Sequence, residues 1–140
     1  MGRVETDLLR EYAVPGMDSD FPRAMTTEER AVLDFLLGTE FPGVEALRGQ
    51  AVHAEVTGLC ECGCPSFGLS VDDSRAVPAE TNRKTPIDVE AKSRSQDPYH
   101  ELLLFTRDGW LDYVELVTYG ALTPSTFPPM NLFEAPKQYT

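Results

Sequence analysis

The N-terminal third of the chain places apolar residues at helical spacing. Thr26 and Glu29 form the signature of a capping box, in which each side chain bonds the backbone N–H of the other residue. The apolar stripe that follows consists of Ala31, Val32, Phe35 and Leu36. Spacings of one, three and four residues are typical of a helix that packs on a core. The pattern therefore predicts a helix over Thr27–Leu37, with Gly38 as its stop.

A second, shorter helical pattern follows this one. Pro42 stands where a first-turn proline belongs, and Val44 and Leu47 lie one turn apart. Gly49 marks the predicted end of this helix, since glycine is common just beyond a helix C-terminus.

The pattern then changes to strict alternation of apolar and polar residues, which is typical of half-buried strands. The apolar positions of three such segments are Val52, Ala54 and Val56, then Phe67, Leu69 and Val71, then Ile87, Val89 and Ala91. Two further segments, His100–Thr106 and Trp110–Tyr119, flank the pair Asp108 and Gly109. An Asp-Gly pair between two strands is a strong signal for a tight β-hairpin, so we expect a positive φ at Gly109.

Helices followed by hairpin-linked strands indicate an α+β fold. We predict two N-terminal helices packed on an antiparallel β-sheet of about four to five strands, in one domain over residues 26–119. Residues 1–25 contain one short helical pattern, Asp7–Tyr12, and are punctuated by prolines, which predicts an arm. Residues 120–140 are proline-rich and are expected to pack along the domain without forming a central strand or a helix.

The balance of charge narrows the choice of partners. The chain carries 23 acidic and 12 basic residues, for a net charge of −11. Polyanions such as duplex nucleic acid and acidic membranes are unfavourable partners for such a surface, whereas a basic protein is suited to it. The N-terminus has no basic region followed by an apolar run, and no apolar run approaches about 18 residues. We therefore expect a cytoplasmic protein with no nucleic-acid or membrane partner.

Three cysteines, Cys60, Cys62 and Cys64, are the most distinctive chemical feature. An odd number so closely spaced does not build a disulfide framework, which fits a reducing compartment. Thiolates bind zinc and copper(I) strongly, so zinc is the candidate metal. The fourth ligand of a tetrahedral site would come from His53 or His100, the two histidines of the chain.

The spacing of the cysteines leaves three interpretations open. Zinc sites usually pair cysteines two to four residues apart, whereas both gaps here are one residue. In an extended strand the three sulfurs would lie about 7 Å apart in steps, so a metal site requires a turn near Gly63, Cys64 and Pro65. The alternatives are small buried apolar side chains at a strand connection, which this spacing favours, or a redox or catalytic thiol.

Other chemically active side chains have simpler interpretations. Asp88 and Glu90 alternate with the apolar residues of the third strand and are expected on its solvent face rather than as a catalytic pair. His100, at a strand start, is expected to be a capping or a surface histidine. The aromatic residues of the last strand are Trp110, Tyr113 and Tyr119. They are suited to packing on a sheet face or, if exposed, to binding a partner.

Three stretches carry a resemblance to a known group of proteins. They are Phe41–Arg48, Cys62–Ser66 and Leu103–Leu111, the last continuing to Glu115 and Tyr119. In them the chain resembles a family of small bacterial hypothetical proteins of the actinobacterial type, marked by a CGCPS segment and an LLF-x-x-DG-x-L hairpin. The resemblance spans roughly residues 26–119 and implies neither an activity nor a catalytic residue.

Two classes of function follow from these observations. The first is a non-enzymatic protein-binding protein that uses its sheet face or acidic loops, by analogy of size and charge with small acidic proteins that neutralise toxins. The second is a small thiol- or metal-dependent protein centred on Cys60, Cys62 and Cys64. No catalytic residue and no bound cofactor is assigned from the sequence.

Overall fold

The computed structural model describes residues 20–80, 85–120 and 123–139, and the predicted helix Asp7–Tyr12 lies outside them. Within these ranges the elements are α1 (Thr27–Leu36), α2 (Val44–Val52), β1 (Ala54–Leu59), β2 (Phe67–Val71), β3 (Ile87–Lys92), β4 (Tyr99–Arg107), β5 (Trp110–Tyr119), a 3₁₀ helix (Met130–Leu132) and β6 (Lys137–Gln138). The strands form one sheet of order β1-β2-β5-β4-β3-β6, and all neighbours are antiparallel. The α+β class is as predicted.

The sheet has six strands, one more than the upper limit of the predicted four to five. The additional strand, β6, follows Pro136 and pairs with the edge of β3 through Val89 opposite Gln138. Two residues are too few to show an alternating pattern, and the prolines around them argue against a strand in the sequence. Proline is nevertheless compatible with a sheet edge, where one side of the strand needs no partner.

The first helix begins as predicted and buries a slightly different face. The Thr26 hydroxyl accepts from the Glu29 N–H at 3.1 Å, and the Glu29 carboxylate accepts from the Thr26 N–H at 2.9 Å, which completes the capping box. Leu33 is fully buried, whereas Ala31 is exposed and Phe35 is only half-buried. The predicted stripe was therefore wrong at Ala31 and missed Leu33, because the helix is rotated toward its Leu33 side.

The second helix continues past its predicted end at Gly49 and stops at Val52. A side chain at Gly49 would meet no atom within 4 Å, so this glycine lies on the open side of the helix. Gln50 and Ala51 are both buried. Their tertiary contacts outweigh the cost of a glycine inside a helix, which is about 1 kcal/mol relative to alanine.

The predicted hairpin is confirmed. Asp108 and Gly109 have φ values of 52° and 85°, the two positive values that a type I′ turn requires. Arg107 and Trp110 are paired on either side of the turn. Ala79, from the segment that follows β2, donates its N–H to the carbonyl of Gly109 at 2.9 Å.

One core fills the space between the helices and the inner face of the sheet. Its fully buried large side chains include Leu33, Leu36, Leu47, Phe67, Leu102, Leu104 and Phe133. Two aromatic rings of the C-terminal segment enter this core. Phe127 lies edge-on to Phe67 with ring centroids 6.0 Å apart, and Phe133 lies 6.3 Å from Phe35.

The residues just before α1 are attached to the sheet. Arg23 and Val56 exchange two backbone hydrogen bonds of 3.0 and 2.7 Å. The Arg23 guanidinium also donates to both carboxylate oxygens of Glu29, at 2.8 and 3.0 Å. Burial would raise the pKa of Glu29, but the bonds from Arg23 and Thr26 hold that pKa below its usual value.

Within the described ranges, no helix has the length and the apolar character that crossing a bilayer requires.

A buried glutamine joins α2 to the hairpin and to the segment after β2. The Gln50 side chain is completely buried, and its amide nitrogen donates to the carbonyls of Val77 and Gly109 at 2.9 and 2.8 Å. Its amide oxygen accepts from the Leu111 N–H at 2.8 Å. These partners lie far from Gln50 along the chain, so no local pattern in the sequence indicates this role.

Candidate metal centre

The three cysteines occupy the connection between β1 and β2, which is folded into a turn. At its base the Cys60 N–H donates to the carbonyl of Ser66 at 3.1 Å. The Gly63 N–H then donates back to the carbonyl of Cys60 at 3.3 Å, and Gly63 has a φ of 93°. Such a φ is readily adopted by glycine because it has no Cβ. The connection is therefore not extended, and the turn that a metal site requires is present.

This turn brings the three sulfur atoms together. All three Sγ atoms lie within 4.8 Å of one another, and those of Cys60 and Cys62 are 3.0 Å apart. A tetrahedral zinc ion with Zn–S bonds of about 2.3 Å holds its sulfurs about 3.8 Å apart. The cluster thus needs shifts of less than about 1 Å to surround an ion of this size.

The three thiols differ in their exposure. Cys64 is buried with 8% of its surface exposed, Cys60 is half-buried, and Cys62 is exposed. The interpretation as small buried apolar side chains therefore fits Cys64 and is wrong for Cys62. A ligand bound by all three sulfurs would lie at the protein surface and be anchored on its inner side by Cys64.

Hydrogen bonds hold the Cys64 sulfur in place. Its Sγ lies 3.2 Å from the hydroxyl of Ser66, which is buried and accepts from the Leu116 N–H at 2.9 Å. Burial by itself raises the pKa of the Cys64 thiol, but its hydrogen bonds with Ser66 and Cys62 outweigh burial and bring this pKa below its usual value.

The Cys62 thiol and the Tyr113 hydroxyl favour their protonated forms. The hydrogen bond with Cys60, followed by that with Cys64, raises the pKa of the Cys62 thiol to about 11. Burial, together with the negative charge of Cys60 and Cys64, raises the pKa of Tyr113 to about 12. A metal ion that binds Cys62 therefore has to displace a proton, as thiol ligands generally require.

The two histidines proposed as ligands lie in other parts of the fold. Among the described residues, the group of ligand atoms within 4.8 Å contains the three cysteines and neither histidine. His53 follows α2 as its C-cap residue, with its N–H donating to the carbonyl of Gln50 at 2.9 Å. His100 pairs its Nδ1 with the hydroxyl of Thr118 at 2.9 Å, and its ring lies 6.3 Å from that of Phe133.

The surface position expected for His100 was wrong, because its side chain is buried with 5% of its surface exposed. Alternation along β4 turns His100 to the same inner face as Leu102 and Leu104. Burial lowers the pKa of His100 below its usual value of 6.5, because it disfavours the charged imidazolium.

This lowered pKa makes stability depend on pH. The unfolded chain binds the His100 proton more tightly than the folded protein, so the free energy of unfolding should decrease as the pH falls below 6.5. We expect the free energy of unfolding, measured by urea denaturation, to decrease by up to about 1 kcal/mol between pH 7.5 and 5.5. The His100→Gln substitution should abolish this decrease. His53→Gln serves as the control and should leave the loss unchanged. A variant H100Q with the pH slope of the parent would contradict this assignment.

The pair Asp88 and Glu90 does not share a solvent face. The register of β3 against β4 shifts between Ile87 and Val89, and this bulge turns Asp88 inward, where it is buried. Its carboxylate lies 3.4 Å from the hydroxyl of Thr106. The predicted outward position of Asp88 was wrong, because simple alternation does not anticipate a bulge.

The face of the sheet opposite the helices carries half-buried and exposed apolar side chains next to the cysteines. We call it the outer face; its apolar members are Tyr99, Leu103, Phe105, Tyr113, Val117 and Tyr119. The rings of Phe105 and Tyr113 are 6.2 Å apart, and those of Tyr99 and Tyr119 are 5.7 Å apart. Tyr113 packs over Gly68 of β2, where a Cβ would lie 3.7 Å from its ring. The thiol cluster therefore adjoins one end of this face.

Comparisons of the chain with protein-family models, with curated proteins and with solved structures gave no match. Three converging thiols of graded exposure, on a turn fixed by backbone hydrogen bonds, form the arrangement in the described residues that is best suited to holding a metal ion.

Proposed function

We propose that this protein binds one thiophilic metal ion through Cys60, Cys62 and Cys64. The observation that carries the proposal is the convergence of three sulfur atoms within 4.8 Å on a single turn. One of the two objections from the sequence was that an extended segment would hold the sulfurs about 7 Å apart in steps. It does not apply, because the connection folds into a turn at Gly63.

The ligand set favours a soft ion. Thiolates select zinc and copper(I), whereas calcium and magnesium prefer oxygen ligands. Zinc would complete its tetrahedron with a water molecule, as it does where a protein supplies three ligands. Copper(I) is equally suited to the softness of the three sulfurs. A reducing compartment such as the cytoplasm would keep all three thiols available.

The position of the site favours exchange of the ion. Cys62 is exposed and Cys60 is half-buried, so solvent and other thiols reach the ion from outside. Structural zinc sites are, in contrast, closed by four protein ligands. We therefore assign the centre to binding and release of a metal rather than to permanent support of the fold.

The experiment is a titration of the reduced protein with zinc or copper(I) in competition with a chromophoric chelator. We expect one ion per chain, and we expect Cys62→Ser to weaken binding at least about 100-fold, because it removes a direct ligand. Since Cys62 is exposed, this variant should remain folded, which circular dichroism verifies.

The matched control is Glu61→Gln, which changes an exposed residue between two of the ligands and leaves every thiol in place. It should bind the metal within a fewfold of the parent protein. Equal affinity of the parent and Cys62→Ser, or no binding by the parent, would refute the proposed function.

A second role, binding of a basic protein partner, is supported by the outer face. This face combines the aromatic pairs Phe105–Tyr113 and Tyr99–Tyr119 with the carboxylates of Glu101 and Glu115. Aromatic residues are enriched at binding hot spots, and a net charge of −11 favours association with cationic surfaces. The Cys62→Ser variant leaves this face unchanged, so the two roles can be tested separately.

A further inference from the structure

We propose that Cys60 and Cys62 are also a reversible oxidation site, and that a disulfide between them prevents metal binding at the cluster. The second half of this proposal rests on the proposed function, whereas the first half concerns the thiols alone.

The geometry of the turn favours this pair. Their Sγ atoms are 3.0 Å apart in the reduced protein. The hydrogen bond from the Gly63 N–H to the Cys60 carbonyl makes them the first and third residues of a turn. The Cα atoms of disulfide-bonded cysteines lie about 4.4–6.8 Å apart, a range that the first and third residues of a turn reach without rearrangement.

The third thiol is held out of this reaction. Cys64 is buried, and its sulfur is bonded to the Ser66 hydroxyl at 3.2 Å. The backbone N–H of Cys64 donates to the Cys62 sulfur at 3.3 Å, and that sulfur lies 3.0 Å from the sulfur of Cys60. Cys62 is exposed to dissolved oxidants and Cys60 is half-buried, so both reacting sulfurs are accessible.

A peroxide supplies the oxidising equivalents. It transfers one oxygen atom to the first thiol, which becomes a sulfenic acid, and one water molecule is released. The second thiol then attacks the sulfenic sulfur, the S–O bond breaks, the S–S bond forms, and a second water molecule leaves. Two sulfurs are each oxidised by one electron and one peroxide is reduced to two waters. A dithiol reductant reverses the step by exchange.

Oxidation would remove two of the three metal ligands. A disulfide sulfur carries no negative charge and is no longer a thiolate ligand, so Cys64 alone remains. The metal is then released at the surface, and the oxidised chain does not rebind it. The turn thus couples the redox state of the surroundings to occupancy of the site.

The first test treats the reduced, metal-free full chain with equimolar hydrogen peroxide and measures intact mass and free thiols. We expect a mass loss of about 2 Da, recovery by dithiothreitol, and alkylation of Cys64 as the remaining thiol. Cys64→Ser should still lose this mass, whereas Cys62→Ser should not form the bond within one chain. A bond that includes Cys64, or oxygen addition without any disulfide, would overturn the proposal.

The second test compares zinc binding by the reduced and the oxidised chain. We expect the oxidised chain to bind at least about 100-fold more weakly, and reduction to restore affinity. Equal affinity of the two forms would overturn the switch. If the disulfide forms but the reduced chain binds neither zinc nor copper(I), the proposed function fails while the oxidation site stands.

Discussion

Replacing Gly109 with alanine should destabilise the protein by about 3 kcal/mol or more. Gly109 has a φ of 85°, and an added Cβ would collide with the carbonyl oxygen of Ala79. Both the hairpin turn and the segment that contains Ala79 are fixed by backbone and Gln50 hydrogen bonds, so neither can move away without losing them. Urea denaturation of the purified variant measures the loss of unfolding free energy.

The matched control is Gly120→Ala. Gly120 has a similar φ of 78°, but a Cβ there would meet no atom within 4 Å. The Gly120→Ala substitution should lower the free energy of unfolding only by the backbone strain, about 1–2 kcal/mol. Equal losses at the two positions would show that the contact with Ala79 is not tight.

Replacing Gln50 with leucine should cost about 2–4 kcal/mol of unfolding free energy, although leucine is similar in size and apolar. The change leaves the buried N–H of Leu111 without the acceptor that now lies 2.8 Å away. It also removes the bonds to Val77 and Gly109, which join α2 to the segment after β2 and to the hairpin turn. Chemical denaturation measures this loss as well.

Val52→Ala on the same helix is the control, because 69% of the Val52 surface is exposed. It should change stability by less than about 0.5 kcal/mol. If Gln50→Leu were as mild as this control, the three hydrogen bonds would contribute little to the fold.

Features encoded by neighbouring residues could be predicted from the sequence. The capping box of Thr26 and Glu29 and the Asp108-Gly109 turn both depend on residues within a few positions of one another. Their physical causes, a side chain that bonds a nearby N–H and a backbone that needs positive φ, are visible in the residue types alone.

Features that depend on distant contacts could not be predicted. Gln50 is buried because three backbone groups from remote segments converge on it, and Asp88 turns inward because of a bulge against β4. His100 is buried by alternation along a strand whose inner face the sequence does not identify. Each of these requires knowledge of which elements pack together.

The thiol cluster lies between these two cases. The sequence indicates the three cysteines and the glycine that would allow a turn. It does not show that the Cys60 N–H and the Ser66 carbonyl close the base of that turn, nor that Ser66 is bonded to Leu116 of β5. These contacts convert a run of cysteines into a group of sulfurs within 4.8 Å.

The most direct test of the metal centre is X-ray absorption at the metal edge of the reduced protein loaded with one equivalent of zinc. We expect three sulfur neighbours of the zinc at about 2.3 Å, with a light atom completing the shell. In Cys62→Ser the count should fall to two. A shell of nitrogen and oxygen atoms alone, or a sulfur count unaffected by Cys62→Ser, would contradict the assignment of Cys60, Cys62 and Cys64 as the metal ligands.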